Sequence, residues 1–223
     1  MFENVRVCLF DFDGTLIRPS IDFEWIRQVV LAVVDRYGVD TEVVSALPIL
    51  EIIDRVTDEL SKGDVGLSAA FRREAQQALI DVELEAANRA DPYVGVPEML
   101  TQLRDRGFGV AIVTRNCRAA VERILARNTL HYDVLLTRDD VDRVKPDPHQ
   151  LLAALEALGE SATQALMCGD HPMDIIAGQR VGAHTVAVMA PGSSADRFDG
   201  LEPDLIVSMV TELLEYLPVV RCE

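Results

Sequence analysis

Near-continuous apolar runs of three to six residues, each closed by turn or polar residues, recur at positions 5–10, 110–113, 134–136, 165–168, 186–189 and 205–207. A short run with almost no polar interruption cannot form a half-solvated surface. It reads as a strand covered on both faces, the pattern of a parallel sheet. Between the runs the apolar period changes. Leu151, Leu152, Leu155 and Leu158 keep helical spacing, with Asp147 as the expected cap, Pro148 at the first helical position, Gln150 completing a capping box and Gly159 as the stop. Strand and helix in alternation predict an α/β fold, a Rossmann-like parallel sheet flanked by helices.

The alternation breaks once. Phe23, Ile26, Val30, Val33, Val34 and Tyr37 form one helical stripe, Ile49, Ile52, Ile53, Val56 and Leu60 a second, and Phe71, Ala75, Leu79, Val82 and Ala86 a third. The expected organisation is a core of residues 1–18 and 93–223 with an inserted all-helical cap of residues 19–92. The cap follows the first strand directly. Pro19 and the segment 91–95 serve as joints, so it is expected to hinge as a lid over the carboxyl edge of the sheet.

At 223 residues, 49% of them hydrophobic and 26% charged, the chain is large enough to bury a substantial core. Its net charge of −16, with no basic run to offset it, makes nucleic acid and anionic membranes poor partners. A small anionic substrate would need local positive charge from a metal or a placed Lys or Arg. No apolar stretch approaches the roughly 20 residues of a bilayer span. The first residues lack the basic and apolar segments of a signal peptide, so the expected location is cytoplasmic. Cys8, Cys117, Cys168 and Cys222 are scattered without a paired motif, which fits reduced thiols, with Cys8 and Cys168 as core filler and Cys117 at the start of a helix.

The chemistry-bearing residues stand at the ends of strands, where ligands bind in open α/β sheets. The first run ends in Asp11-Phe12-Asp13-Gly14-Thr15, the second in Thr114. Lys145-Pro146 follows the third, and the fourth leads into Gly169-Asp170-His171-Pro172-Met173-Asp174. Singly, each has a bland reading as turn, cap or solvated side chain. In this order they resemble the four motifs of the haloacid dehalogenase superfamily, in the branch with a helical cap after the first strand, many of whose members look like phosphoglycolate phosphatase. Pro92, Gly95, Glu98, Leu100, Leu103 and Gly107 resemble the usual lead into the second motif.

The resemblance implies a magnesium-dependent phosphatase acting on a small phosphorylated metabolite, phosphoglycolate first among candidates. Asp11 would be the nucleophile, and Asp13 the acid and base. Magnesium would be held by Asp11, Asp170 and the carbonyl of Asp13. Asp174 either supports the metal through water or orients Lys145. Lys145 would place a charge beside the nucleophile and phosphate. Thr114 would donate to a phosphate oxygen, with backbone N–H groups near Phe12, Asp13 and Arg115. Asp13 favours phosphoryl transfer over dehalogenation, since the family's dehalogenases usually carry another residue there.

Some positions depart from the common pattern. After Leu16, where many relatives carry an acidic residue followed by Ser, Ile17-Arg18-Pro19-Ser20 stands, and Arg18 either reaches a substrate anion or is a solvated hinge residue. Arg115 and Asn116 either contact substrate or, for Asn116, cap the next helix. His171 reads as a helix cap, and His131, His149 and His184 form no ligand spacing. Two rivals stand beside the phosphatase: a sugar phosphomutase of the same family and a catalytically silent interaction protein. The expected assembly is a monomer or homodimer.

Overall fold

Six strands, β1 (Val7–Phe10), β2 (Gly109–Val113), β3 (Val134–Leu136), β4 (Ala165–Gly169), β5 (His184–Val188) and β6 (Leu205–Val207), pair in parallel in the order β3-β2-β1-β4-β5-β6. This computed structural model describes residues 2–18, 20, 22–189 and 194–218. The joint expected at Pro19 and the fourth cysteine, Cys222, lie outside them. All six apolar runs become strands. The central pair is covered throughout, as the continuous runs require, whereas β3 and β6 are edge strands and only partly buried.

The order of the strands sets the site. From β1 the chain moves outward through β2 to β3, then returns to the other side of β1 as β4 before running on to β5 and β6. Neighbours β1 and β4 are paired Val7 to Ala165 and Phe10 to Cys168. Their onward connections therefore leave in opposite directions. That reversal opens a crevice at the carboxyl ends of β1 and β4.

The chain divides into two compact units, Met1–Pro19 with Ala90–Glu223, and Ser20–Arg89. The second unit is all-helical, made of α1 (Phe23–Arg36), α2 (Ile49–Ser61) and α3 (Val65–Ala87). Asp22 caps α1 by accepting from the amides of Glu24 and Trp25, and Asp64 caps α3 from Gly66 and Leu67. Ile26, Val30, Val33, Ile52, Ile53, Val56, Phe71, Ala75 and Leu79 form its core. Phe23, counted in the apolar stripe of α1, is a correction: it lies in the first turn and is 57% exposed.

In the sheet unit, α4 (Val96–Asp105) precedes β2, α5 (Arg118–Leu125) precedes β3, α6 (His149–Leu158) precedes β4 and α7 (Pro172–Val181) precedes β5. Leu151, Ala154 and Leu155 of α6 and Ala177 of α7 pack on Val7, Leu9, Ala111, Val113 and Met167. Gly159 ends α6 at φ 69°, a conformation open to glycine. The helix begins one residue later than expected, with Pro148, which has no capping group, at the N-cap; Asp147 lies just before it and its Oδ1 accepts from the amide of His149 at 2.9 Å. Gln150 does not complete a capping box. Its side chain is fully buried and bonds elsewhere.

Two segments that enter and leave the helical insertion lie side by side in the sheet unit. Ile17 bridges Pro92 in antiparallel fashion, the amide of Arg18 donates to Asp91 O at 2.9 Å, and that of Tyr93 to Leu16 O at 3.0 Å.

Candidate active site

The ladder between β1 and β4 continues one residue past β1, where the Asp11 amide donates to Cys168 O at 2.9 Å. This fixes the backbone of Asp11 at the mouth of the crevice and leaves the residue 9% exposed. A tight turn follows. The Phe12 carbonyl accepts from Leu16 at 3.0 Å and Ile17 at 2.9 Å, while Phe12 itself is buried beneath. Gly14 stands at φ 93°, and a Cβ there would fall 2.6 Å from Asp170 Oδ2. Only glycine lets the two loops approach this closely.

Lys145 enters from the connection between β3 and α6 and is 1% exposed. Its Nζ donates to Asp11 Oδ1 and Asp174 Oδ1, both at 2.7 Å. Burial opposes its charge, but the two carboxylates outweigh that and hold its pKa above the usual lysine value. Asp174 lies in the first turn of α7, where its second oxygen accepts from the His171 amide at 3.0 Å. His171 Nδ1 accepts in turn from Met173 N at 3.2 Å, so His171 caps α7. Burial, opposed by Asp174 but reinforced by Arg197, Arg115 and Lys145, lowers the His171 pKa.

Asp170 follows β4 directly. Thr15 Oγ1 donates to its Oδ1 at 3.5 Å, and Arg197 Nη1 lies 3.7 Å from its Oδ2. Burial and the Asp174 charge raise the Asp170 carboxyl to about 6. Burial, then Asp174 and Asp170, push the Asp11 carboxyl well above the usual range in spite of Lys145. Oxygens of Asp11, Asp170 and Asp174 lie within 4.8 Å of one another. Three crowded carboxylates short of counter-charge form a hard oxygen donor set, which suits a magnesium ion.

A second group faces this cluster from β2. Thr114, which directly follows that strand, donates its hydroxyl to Asp13 Oδ2 at 3.5 Å and accepts from Asn116 N at 3.0 Å. Asn116 Nδ2 donates to the same Asp13 oxygen at 3.0 Å, and its Oδ1 accepts from the Cys117 amide at 2.8 Å. Asn116 therefore holds Asp13. The Arg115 guanidinium donates to Lys145 O and lies 3.1 Å from Met173 Sδ. Arg18 is exposed beside Asp91 and is not gathered into either group.

Three participants were given no part in the site by the sequence: Thr15, Arg197 and Gln150. Thr15 lay inside a motif without a role, and Arg197 lies far along the chain, after β5. Gln150 had a signal, a polar residue four positions before Ala154 on the buried face of α6. The buried thiols Cys8 and Cys168 are raised by burial, which leaves them protonated core residues.

A family model described as haloacid dehalogenase-like hydrolase matches residues 8–188. The pyrophosphatase PpaX of Bacillus cereus (strain AH820) is 32% identical over 217 residues, covering 96% of this chain and 97% of that protein. The protein of the same name from Halalkalibacterium halodurans is 30% identical over 223 residues, covering 97% and 98%. Among solved structures, a HAD phosphatase from Thermococcus onnurineus matches with a TM-score of 0.66 at 23% identity, covering 98% of this chain and 100% of that one. That last likeness is one of fold.

Proposed function

The chain belongs to the haloacid dehalogenase-like hydrolase family, and from that premise we propose that it is a magnesium-dependent phosphatase hydrolysing a small phosphorylated metabolite through an aspartyl-phosphate. The observation that carries this reading is the contrast between two carboxylates two residues apart. Asp11 is buried against the Lys145 ammonium, while Asp13 is half-buried and held by the neutral donors Thr114 and Asn116. Different surroundings suit different roles.

In this reading an Asp11 oxygen attacks phosphorus as the bond to the leaving oxygen breaks, and Asp13 gives that oxygen its proton. Asp13, now a carboxylate, takes a proton from water. The hydroxide attacks the same phosphorus, releasing inorganic phosphate and regenerating the Asp11 carboxylate. Lys145 and the Thr114 hydroxyl hold phosphate oxygens. Asp11, Asp170, Asp174 and the Asp13 carbonyl are the groups that would hold magnesium, whose charge offsets the repulsion between carboxylate and phosphate. A phosphoglycolate-like monoester is the leading substrate. Pyrophosphate stands beside it because the relatives at 30–32% identity carry that name.

The test is phosphate release from phosphoglycolate, sugar phosphates, nucleotides, pyrophosphate and p-nitrophenyl phosphate, with and without magnesium. Asp11→Asn should lower kcat at least about 1,000-fold while keeping the fold. Chelation should abolish turnover and added magnesium restore it. Release that persists in Asp11→Asn, or a folded wild type inert toward the whole panel, would overturn the reading. Activation by a sugar bisphosphate with little net phosphate would instead identify the mutase.

A further inference from the structure

Gln150 is fully buried in the first turn of α6, and its side-chain amide reaches the ends of two strands. Nε2 donates to Thr114 O at 2.9 Å and to Leu136 O at 3.3 Å, and Oε1 accepts from the Lys145 amide at 3.4 Å. The orientation follows from the partners. A backbone N–H can face only the oxygen, and two carbonyls can face only the nitrogen.

We propose that Gln150 is a positioning residue for phosphoryl transfer, setting Lys145 relative to Thr114. The proposal rests on the function assigned above, which gives both of those groups to the phosphate. Pairing of β2 with β3 ends when the Thr114 amide donates to Leu136 O at 2.9 Å. Beyond it, Thr137 turns away to bond Asp140. The Thr114 carbonyl thus has no next strand residue to pair with, and Gln150 takes that place. The same amide then holds the backbone of Lys145.

Packing alone does not call for this residue. Its neighbours on the buried face of α6 are Leu151, Ala154 and Leu155, among which Leu or Met would sit without a polar group. The tie matters most midway through the reaction. Once Asp11 carries the phosphoryl group it is no longer a full carboxylate, and the ammonium of Lys145 must follow charge that has moved onto the phosphoryl oxygens. The backbone held by Gln150 and the carboxylate of Asp174 remain. Transfer sites lose rate steeply when a group slips by a fraction of an ångström.

The test uses Gln150→Met, which keeps length and apolar packing and removes all three bonds. Lys62 and Lys145 are the two lysines of the chain, so 15N-lysine labelling gives two backbone amide signals. Lys62 closes α2 in the helical unit and serves as the internal reference. The expected result is a moved Lys145 signal, an unmoved Lys62 signal, and a kcat about tenfold lower with KM within about twofold. If the variant does not fold, Gln150→Glu carries the test. It keeps shape and the acceptor for Lys145 but loses the donors to Thr114, and its kcat is expected to fall by the same order. An unmoved Lys145 signal, or a change confined to melting temperature with kcat per folded molecule intact, overturns the proposal. A wild type inert toward every substrate would overturn the phosphatase reading instead, and the Lys145 signal would still decide whether Gln150 places that residue.

Discussion

Lys145 shows how one residue joins stability to chemistry. Its ammonium is 2.7 Å from two carboxylates and almost fully enclosed, so it is a compensating charge shared by both. Replacing it by Met keeps the volume and leaves Asp11 and Asp174 buried without a cation. Uncompensated buried charge is costly, so Lys145→Met should lose about 3 kcal/mol of stability at neutral pH, read from urea unfolding. If phosphoryl transfer proceeds as proposed, its kcat should also fall at least about 100-fold, because the same charge would then face the phosphate. A variant as stable as wild type would mean that the carboxylates do not need the ammonium. Asp11, Lys145, Asp170 and Asp174 were legible because strand-end position and order along the chain identify them together. Gln150 was not, because its role lies in contacts with Thr114 and Leu136, which are distant in sequence and ordinary in type.

At the level of elements, continuous apolar runs marked every strand, since burial on both faces leaves no alternation to confuse with a helix. Element ends were less legible. The third helical stripe began at Phe71 in the sequence, yet α3 starts at Val65, because Val65 and Leu67 in its first turn are exposed and add nothing to the stripe. The short helical turn after β3 was silent for a similar reason: it is held by polar groups. Asp140 Oδ2 accepts from the Thr137 amide and hydroxyl, each at 2.7 Å, and Arg118 reaches both Asp140 oxygens, at 3.1 and 2.5 Å. Burial alone would raise the Asp140 carboxyl, but Arg118 and Thr137 outweigh it and hold it below the usual range. A carboxyl lowered in the folded state stabilises above its unfolded pKa of about 3.9, and the benefit is lost as pH falls through the folded value. Asp140→Ala should therefore cost about 1 kcal/mol at pH 7. The gap from wild type should close as denaturant midpoints are followed below about pH 4. A gap that stays constant into acid would assign the effect to packing rather than charge.

For the whole molecule the governing quantity is the net charge of −16, set against the few cations gathered at the site. The family and the residues that cluster at the strand ends were legible because each stands in a short-range pattern. The substrate was not, because it depends on the shape and charge of a finished surface rather than on a motif. The field of the molecule nevertheless makes a prediction whichever phosphorylated anion is taken. Lys145 and Arg197 act over a few ångströms, whereas the acidic surface acts over the Debye length, about 10 Å at 0.1 M salt. Added salt screens the distant repulsion first and leaves the enclosed contacts nearly intact. At fixed free magnesium, raising potassium chloride from about 20 to about 150 mM should therefore raise kcat/KM for a dianionic substrate about two- to threefold. The kcat at saturation should stay nearly constant, because the substrate is already bound. A fall in kcat/KM would mean that attraction at the site, not repulsion from the surface, governs the approach of the substrate.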